Sequence, residues 1–346
     1  MAVSLAHGVA AQGAARPALL ALLADGRLHS GESLAAELGV SRAAIWKAVE
    51  RLRALGIGVQ AEPRRGYRLM QPVELLDSER IRAELRAGAA DALQLLEIVF
   101  EVDSTNSRLL AASPPPYGAA HVCICELQSA GRGRRGRRWI APFGTSVAMS
   151  LGWAFRDATR DLPALSLAVG VAVVRALARV GAQGVRLKWP NDLWFEDRKI
   201  GGVLIDLRAE AGGPAHVVIG IGINVALPPD ARREIEAGGA LAQIAAVVDS
   251  CRGVGSPPSR NQIAGATIDE LLRMLTQFER EGFAPLREAW SALDALHGRA
   301  VRVLLGERSA VGVARGVESD GSLCVAVDGR LQKFSAGEVS LRLEGQ

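Results

Sequence analysis

Eight consecutive residues, Gly131-Arg132-Gly133-Arg134-Arg135-Gly136-Arg137-Arg138, place five cations and three glycines between a strand-like stretch and Trp139. No Asp or Glu occurs from Leu127 to Arg156, so this charge has no partner nearby in sequence. It must meet an anion from elsewhere or remain in water. Arginine grips oxyanions with paired N–H groups and glycine lets backbone approach closely, so the loop suits phosphate or a similar group.

Three further clusters carry polar chemistry. Ser104-Thr105-Asn106 follows a strand-like run and opens a helix, where free N–H groups and hydroxyls can meet a polar ligand; a plain N-cap has the same signature. Lys188-Trp189-Pro190-Asn191-Asp192-Leu193 leaves a strand through a proline turn, and Lys199-Ile200-Gly201-Gly202 begins the next. A cation followed by two glycines suits close approach to a ligand, and a β-bulge accounts for the glycines equally well. Gly220-Ile221-Gly222-Ile223-Asn224 clears side chains from a strand, either for a flat ligand or for packing.

The elements that position these clusters follow from periodicity. In the central region, Leu95–Val102, His121–Gln128 and Thr145–Trp153 read as strands, and Leu162–Val180 as a long apolar, buried helix. Val185–Trp189, Ile200–Leu207 and Val217–Val225 are strands joined by short links, which predicts a mixed or antiparallel sheet with helices, an α+β layout. Asp77 or Ser78 caps a helix through Glu79 to Arg86. Residues 231–265 show no firm pattern and read as a mobile connection. Thr267-Ile268-Asp269-Glu270 has capping-box spacing and predicts a helix start.

Ahead of this region, residues 17–70 predict a winged helix-turn-helix. Leu19–Leu23 form a first helix, Ser30 caps a second, and Ser41 caps a third with Ile45, Ala48, Val49, Leu52 and Leu55 on its core side. Arg42, Ala43, Trp46 and Lys47 lie on the other face, and Arg64 and Arg65 sit at the tip of a hairpin between stretches around Val59 and Tyr67. Residues 41–70 carry seven Lys or Arg against Glu50 and Glu62, whereas the first two helices have no such excess. That placement suits a recognition helix in the major groove with a wing on phosphate. Val301–Leu305, Val311–Val317, Leu323–Val327 and Val339–Leu343 predict a small C-terminal β-barrel.

With 346 residues and 49% hydrophobic side chains, the chain can build several cores, and its net charge of only +4 makes the location of charge matter more than its total. Cys123, Cys125, Cys251 and Cys324 lack zinc-site spacing and read as reduced thiols. Residues 1–16 lack the basic start of a signal peptide, no run is apolar enough for a membrane span, and the cytoplasm is the expected compartment.

In order and spacing, Ser104–Asn106, Gln128 with the loop through Gly136, Lys188–Asp192, Arg198–Gly202 and Gly220–Asn224 resemble the motifs of biotin–[acetyl-CoA-carboxylase] ligases. Ser30-Gly31-Glu32 and Ser41–Ile45 look like the winged helix of the bifunctional branch, which also represses the biotin synthesis operon. The resemblance covers about residues 17–345. It implies three domains: a winged helix at 17–70, a class II synthetase-like ligase domain at 75–290, and an SH3-like β-barrel at 298–345. It also implies that ATP and biotin form biotinyl-5′-adenylate, with Mg²⁺ as cofactor, before biotin passes to a lysine of a biotin carboxyl carrier protein. An adenylate-bound homodimer on operator DNA is the implied repressor. A biotin sensor without transfer activity is one alternative; an intact Lys199 and loop argue against it. A lipoate or octanoate ligase is another, and the Gly-Arg-Gly-Arg-Arg-Gly loop argues against that.

By matching position, the resemblance assigns Ser104, Thr105, Asn106, Gln128, Arg132, Gly133, Arg134 and Lys199 to biotin. Trp139, Asn191, Asn224 and Arg315 fall to the adenylate, and Lys199, Lys188, Arg134 and Asp192 to catalysis. The protein offers no metal cage of its own; Mg²⁺ arrives with ATP, and Asp192 is the carboxylate placed to help hold it. Bringing a carboxylate against a triphosphate sets anions about 4 Å apart that repel by about 4 kcal/mol at an effective dielectric of 20, so placed cations are needed. Ordering the eight loop residues costs roughly 8 to 16 kcal/mol, which predicts a loop without fixed structure until its ligand closes it.

Overall fold

The computed structural model describes residues 17–156, 161–209, 214–237, 243–251, 256–305, 308–336 and 340–343. The N-terminal sixteen residues and Val339 therefore lie outside the described residues. The chain divides into two compact units, Met1–Leu75 with Pro142–Gly144, and Leu76–Ala141 with Thr145–Gln346.

The first unit contains α1 (residues 17–23), α2 (Gly31–Glu37), α3 (Arg42–Ala54) and an antiparallel wing of β1 (Val59–Glu62) and β2 (Gly66–Leu69). Ser30 and Ser41 cap α2 and α3 by accepting from the Ser33 and Ala44 amides, as their positions predict. Gly39 supplies the left-handed turn between those helices at φ 64°. Helix α3 buries Ile45, Ala48, Val49 and Leu52, and each larger side chain contributes about 1.5–3 kcal/mol. A Cβ at Gly66 would stand 1.9 Å from the His29 carbonyl oxygen, so glycine alone lets His29 bridge to Tyr67 beside the wing.

In the second unit, α4 (Ser78–Ala83) and α5 (Ala89–Ala92) precede β3 (Leu93–Val102), α6 (Thr105–Ala111), β4 (Ala120–Gln128) and β5 (Ser146–Phe155). Asp77 caps α4 through the Arg80 amide. Helix α7 (Leu165–Arg179) leads to β6 (Arg186–Lys188), β7 (Asp192–Phe195), β8 (Arg198–Ala209) and β9 (Ala215–Asn224). Helices α8 (Pro229–Ala237), α9 (Arg260–Glu281) and α10 (Ala284–Leu293) follow. The seven strands form one sheet in the order β3-β4-β5-β9-β8-β7-β6. β3 and β4 run parallel and the remaining neighbours antiparallel, which is the mixed sheet expected. Helices α7 and α9 pack together on one face and α6 covers part of the other. Against the expectation that no run is apolar enough for a membrane span, Leu162–Arg179 is by length and composition, yet 67% of it is buried as a core helix.

The structure corrects several expectations. β7 is a strand in its own right, pairing with β6 across the Trp189-Pro190-Asn191 turn, whose Trp189–Pro190 peptide is cis. Helix α9 starts at Arg260 rather than Thr267: Ser259 and Gln262 form the capping box, and Thr267 bonds back to the Ile263 carbonyl inside the helix. The patternless stretch contains α8, the first turns of α9 and a short 3₁₀ turn, Val247–Ser250; its residues 238–242 and 252–255 lie outside the described ones.

The C-terminal segment is a five-stranded antiparallel sheet of β10 (Ala300–Leu305), β11 (Arg308–Val317), β12 (Leu323–Val327), β13 (Arg330–Phe334) and β14 (Ser340–Leu343). Its order is β13-β12-β11-β10-β14. Strand β13 escapes sequence reading because it is an edge strand whose residues 330–333 are all exposed, so it lacks an alternating pattern. Val301, Val303, Leu323, Val325 and Phe334 share one apolar core with the seven-stranded sheet.

Arg260 and Glu126 form an ion pair buried on both sides in the second unit. Arg260, at the start of α9, meets Glu126 of β4 at 2.7 Å and donates to the Ser146 carbonyl at 2.8 Å, with both side chains near 5% exposed (5% and 6%). The other Glu126 oxygen accepts from the Leu76 amide at 2.7 Å. Removing Arg260 leaves the Glu126 carboxylate in the interior without that counter-ion. Arg260→Met alone should cost about 3 to 5 kcal/mol in urea unfolding, and Arg260→Met with Glu126→Leu markedly less.

Candidate functional site

A one-residue irregularity decides where the main cation points. Leu193 pairs with Gly201 but Trp194 pairs with Lys199, so Ile200 is an extra residue in β8. In an uninterrupted ladder Lys199 would oppose Phe195 on the core face. The bulge moves it to the face of Asp192 and Trp194, and Ile200 is buried instead. The bulge reading of the Lys-Ile-Gly-Gly motif thus holds, and the bulge turns a cation toward the open space of a cavity. Lys199 then donates to Asp192 at 2.6 Å, and its backbone is clamped by Gln243 and Ala245 at 2.8 and 2.9 Å.

Lys199 lines a cavity of about 350 Å³ in the second unit. Ser104, Thr105, Asn106, Gln128, Arg132, Gly133, Arg134, Trp139, Lys188, Asn191, Asp192 and Asn224 also line it, so clusters distant in sequence converge. Arg315 does not: it is exposed on β11, and the C-terminal sheet contributes Leu341 to the wall instead. Met149, Ile235 and Ile244 are apolar wall residues that sequence reading missed, because apolar residues without a motif look like ordinary core.

The polar floor is a connected network. Ser104 caps α6, and the Thr105 amide donates to Gln128 at 2.9 Å. Ser150 of β5 lies 2.7 Å from the Thr105 hydroxyl and also bonds the Asn106 carbonyl oxygen. The Asn106 amide donates to Asp206 at 2.8 Å. Ser104, Thr105, Asn106 and Ser150 are all buried, where unpaired polar groups would be costly. The glycines of β9 admit close neighbours in packing. A Cβ at Gly220 would fall 2.2 Å from Asn106 Oδ1, and one at Gly222 would fall 2.4 Å from the Trp139 ring.

The arginine-glycine loop takes the form of a closed hairpin. Arg132 bridges Arg138, the Gly133 amide donates to Arg137 at 2.7 Å, and the Trp139 amide donates to Gly131 at 2.9 Å. Arg135 and Gly136 take left-handed conformations at the tip, φ 58° and 71°. Side-chain anchors offset the remaining ordering cost. Arg132 forms a fork with Asp206 at 3.0 and 3.2 Å; Arg134 donates to Asn191 at 3.1 Å and to the Ala336 carbonyl. The loop's anion partner is therefore a residue of β8, far along the chain.

Burial lowers the Arg134 pKa, with Arg135 and Arg137 adding repulsion that Asp192 partly opposes; an arginine so placed still carries its charge at neutral pH. Lys188, opposite Asp192 in the β6–β7 ladder, stands 4.5 Å from the centre of the Trp194 ring. Asn191 also donates to the Val203 carbonyl at 2.6 Å, and Asn224 to the Ala245 carbonyl at 3.2 Å. The Trp139 indole N–H is buried without a partner beside the cavity. Beneath α6, burial pushes the Cys123 thiol up to about 12, so it stays protonated and is no nucleophile. Among the described residues no group of three or more His, Cys, Asp and Glu could hold a metal by itself.

The first unit carries the second candidate site. Arg42, Ala43, Trp46 and Lys47 are exposed along α3, Trp46 at 54%. Arg64 and Arg65 are exposed at the wing tip, Arg65 pairing with Glu62 at 2.6 Å.

Comparisons with known proteins agree with this geometry. Residues 99–224 match the Biotin/lipoate A/B protein ligase family, residues 16–68 an HTH domain and residues 296–342 the biotin protein ligase C terminal domain. The bifunctional ligase/repressor BirA of Escherichia coli is 38% identical over 324 residues, 94% of this chain and 96% of that protein. The chain belongs to the biotin protein ligase family. The biotin–[acetyl-CoA-carboxylase] ligase of Mycobacterium tuberculosis is 35% identical over 76% of this chain and 95% of its own. Among solved structures, the Aquifex aeolicus biotin protein ligase in complex with biotin and ATP is 25% identical, with a TM-score of 0.59 over 72% of this chain and 100% of that one.

In this family member, the close fit of Asn106 on β9 is testable. Gly220→Ala should drive the Asn106 amide from Ser150 and Asp206, costing about 1–3 kcal/mol. Calorimetry should read a melting temperature lower by about 2 to 8 °C. An unchanged value would mean that Asn106 moves freely.

Proposed function

We propose that the protein activates biotin with ATP to biotinyl-5′-adenylate, releasing pyrophosphate, and transfers biotin to one lysine of a biotin carboxyl carrier protein. Its winged helix binds operator DNA and represses biotin synthesis. The observation that carries the enzymatic reading is Lys199, turned by the β8 bulge into the cavity that also gathers Ser104–Asn106 and the arginine-glycine loop.

In this reading the floor formed by Ser104, Thr105, Asn106 and Gln128 recognises the ureido head of biotin, whose donors and acceptors suit hydroxyls and amides. Met149 and neighbouring apolar walls take the thioether and alkyl chain. Lys199 meets the biotin carboxylate and the α-phosphate, stabilising the charge that shifts as the carboxylate attacks phosphorus and pyrophosphate leaves. Asp192 holds Lys199 in position, and Lys188 adds a second cation on the same hairpin. Trp139, Asn191 and Asn224 border the adenylate. Arg132, Gly133 and Arg134 cover it, excluding water that would hydrolyse the mixed anhydride. A neutral lysine amine of the carrier then attacks the acyl carbon and AMP departs.

Mg²⁺ fits as a partner of ATP rather than a resident ion, since it is commonly held by one or two carboxylates and substrate phosphates, and Asp192 is a carboxylate at the wall. Bound there, it would neutralise phosphate charge. The cytoplasm suits an ATP-using enzyme whose four cysteines are all free and buried. Binding of the adenylate favours a homodimer, whose paired winged helices match a palindromic operator.

Incubation with ATP, Mg²⁺, labelled biotin and a carrier domain should label the carrier, and Lys199→Ala should slow adenylate formation about 10²–10³-fold. No labelling by the native chain refutes the ligase reading. For the regulatory arm, Arg42→Ala and Lys47→Ala should each weaken DNA binding and, where phosphate is contacted, lower the salt slope by about 1. A gel shift on biotin-gene DNA that ignores biotin and ATP rejects the coupling.

A further inference from the structure

The geometry points to Asp206 as a positioning residue that sets the loop and the biotin floor together, and so governs how well the adenylate is retained. This rests on the ligase reading of the cavity. Asp206 stands on β8 and is not among the residues lining the cavity. Its carboxylate nevertheless accepts from both sides of it. Oδ2 and Oδ1 take the Arg132 fork at 3.0 and 3.2 Å, and Oδ2 also takes the Asn106 amide at 2.8 Å.

Each contact constrains more than one residue. Arg132 opens the hairpin and bridges Arg138, so holding its guanidinium holds the base of the loop. Asn106 can present either end of its amide. With Nδ2 given to Asp206, and more weakly to the Leu204 carbonyl at 3.4 Å, its Oδ1 is left for the Ser150 hydroxyl. One carboxylate thus fixes the orientation of a floor amide and the seat of the lid above it. The loop has no acidic residue nearby in sequence, which makes this long-range partner its charge anchor.

Loss of the carboxylate has a specific consequence. The lid loosens and water reaches the acyl phosphate, where hydrolysis yields biotin and AMP without labelling the carrier. The freed Asn106 amide can also rotate and weaken biotin binding. A merely structural defect would lower all rates together. A positioning defect changes the ratio of AMP formed to biotin transferred.

The test measures that ratio, together with KM for biotin in adenylate formation, for the native chain, Asp206→Ala and Asp206→Asn. Asp206→Ala should raise AMP per transferred biotin at least about threefold and KM about tenfold, with kcat for adenylate formation within about threefold. Asp206→Asn keeps the size of the side chain and one acceptor, so its ratio should fall between the other two; it also carries the test should the alanine variant not fold. Arg132→Ala removes the same fork from the other side and should also raise the ratio. Ratio and KM unchanged in both Asp206 variants would overturn the inference while leaving the ligase reading intact. Absence of labelling by the native chain would overturn the reading itself.

Discussion

Like charges crowded into one cavity repel, and the site is arranged around keeping them together without neutralising them. Arg132, Arg134, Lys188 and Lys199 border one space of about 350 Å³. Unit charges 4 Å apart in such surroundings repel by about 4 kcal/mol. Two carboxylates on adjacent strands meet this constraint: Asp192 on β7 takes Lys199, and Asp206 on β8 takes Arg132. Asn191 supplies a neutral acceptor for Arg134. These acceptors stand on the sheet or in the β6–β7 turn, so the cations are held in fixed positions along the cavity wall.

Rigidity comes from close approach as well as from charge. Gly220 and Gly222 let Asn106 and Trp139 rest against β9, and Ser150 reaches from β5 to tie Asn106 to Thr105. Behind the sheet, α7 and α9 fill the other face with aliphatic side chains, and the Arg260–Glu126 pair locks the start of α9 to β4. The C-terminal sheet shares this core. It also reaches the site through the Ala336 carbonyl on Arg134, and Trp189 of the β6–β7 turn donates to its Gly321 carbonyl at 3.0 Å. The winged helix is a separate compact unit with its own apolar centre and its own exposed cations. Cations are therefore arranged in two ways in one chain: a set bordering the cavity, with Arg132, Arg134 and Lys199 on fixed partners, and an open basic face suited to a polyanion.

Much of this was legible in the residues because it is local. Ser30, Ser41 and Asp77 are caps whose side chains reach amides three residues on, and Ile45, Ala48, Val49 and Leu52 mark the buried stripe of α3 by spacing alone. The motifs that converge on the cavity were likewise visible as polar or glycine-rich breaks in apolar runs. Local logic failed where another element had a say. Thr267-Ile268-Asp269-Glu270 has capping spacing, yet Ser259 offers an earlier cap and the helix runs through both. The cost of ordering the arginine-glycine loop is local, whereas the bonds that offset it, to Asp206, Asn191 and Ala336, join it to residues far along the chain.

Motif order, a sheet backed by helices and the segregation of basic residues onto α3 and the wing can be read along the chain, because all depend on spacing within a few turns or on motif order. Which face of β8 carries Lys199 cannot, since strand direction is read against a partner and the extra residue appears only when β8 pairs with β7. The tertiary structure alone joined Arg132 and Asn106 to Asp206, and seated Asn106 over Gly220. Those contacts join residues remote in sequence, and a charge or an amide has no preferred partner until the sheet brings one within hydrogen-bond reach.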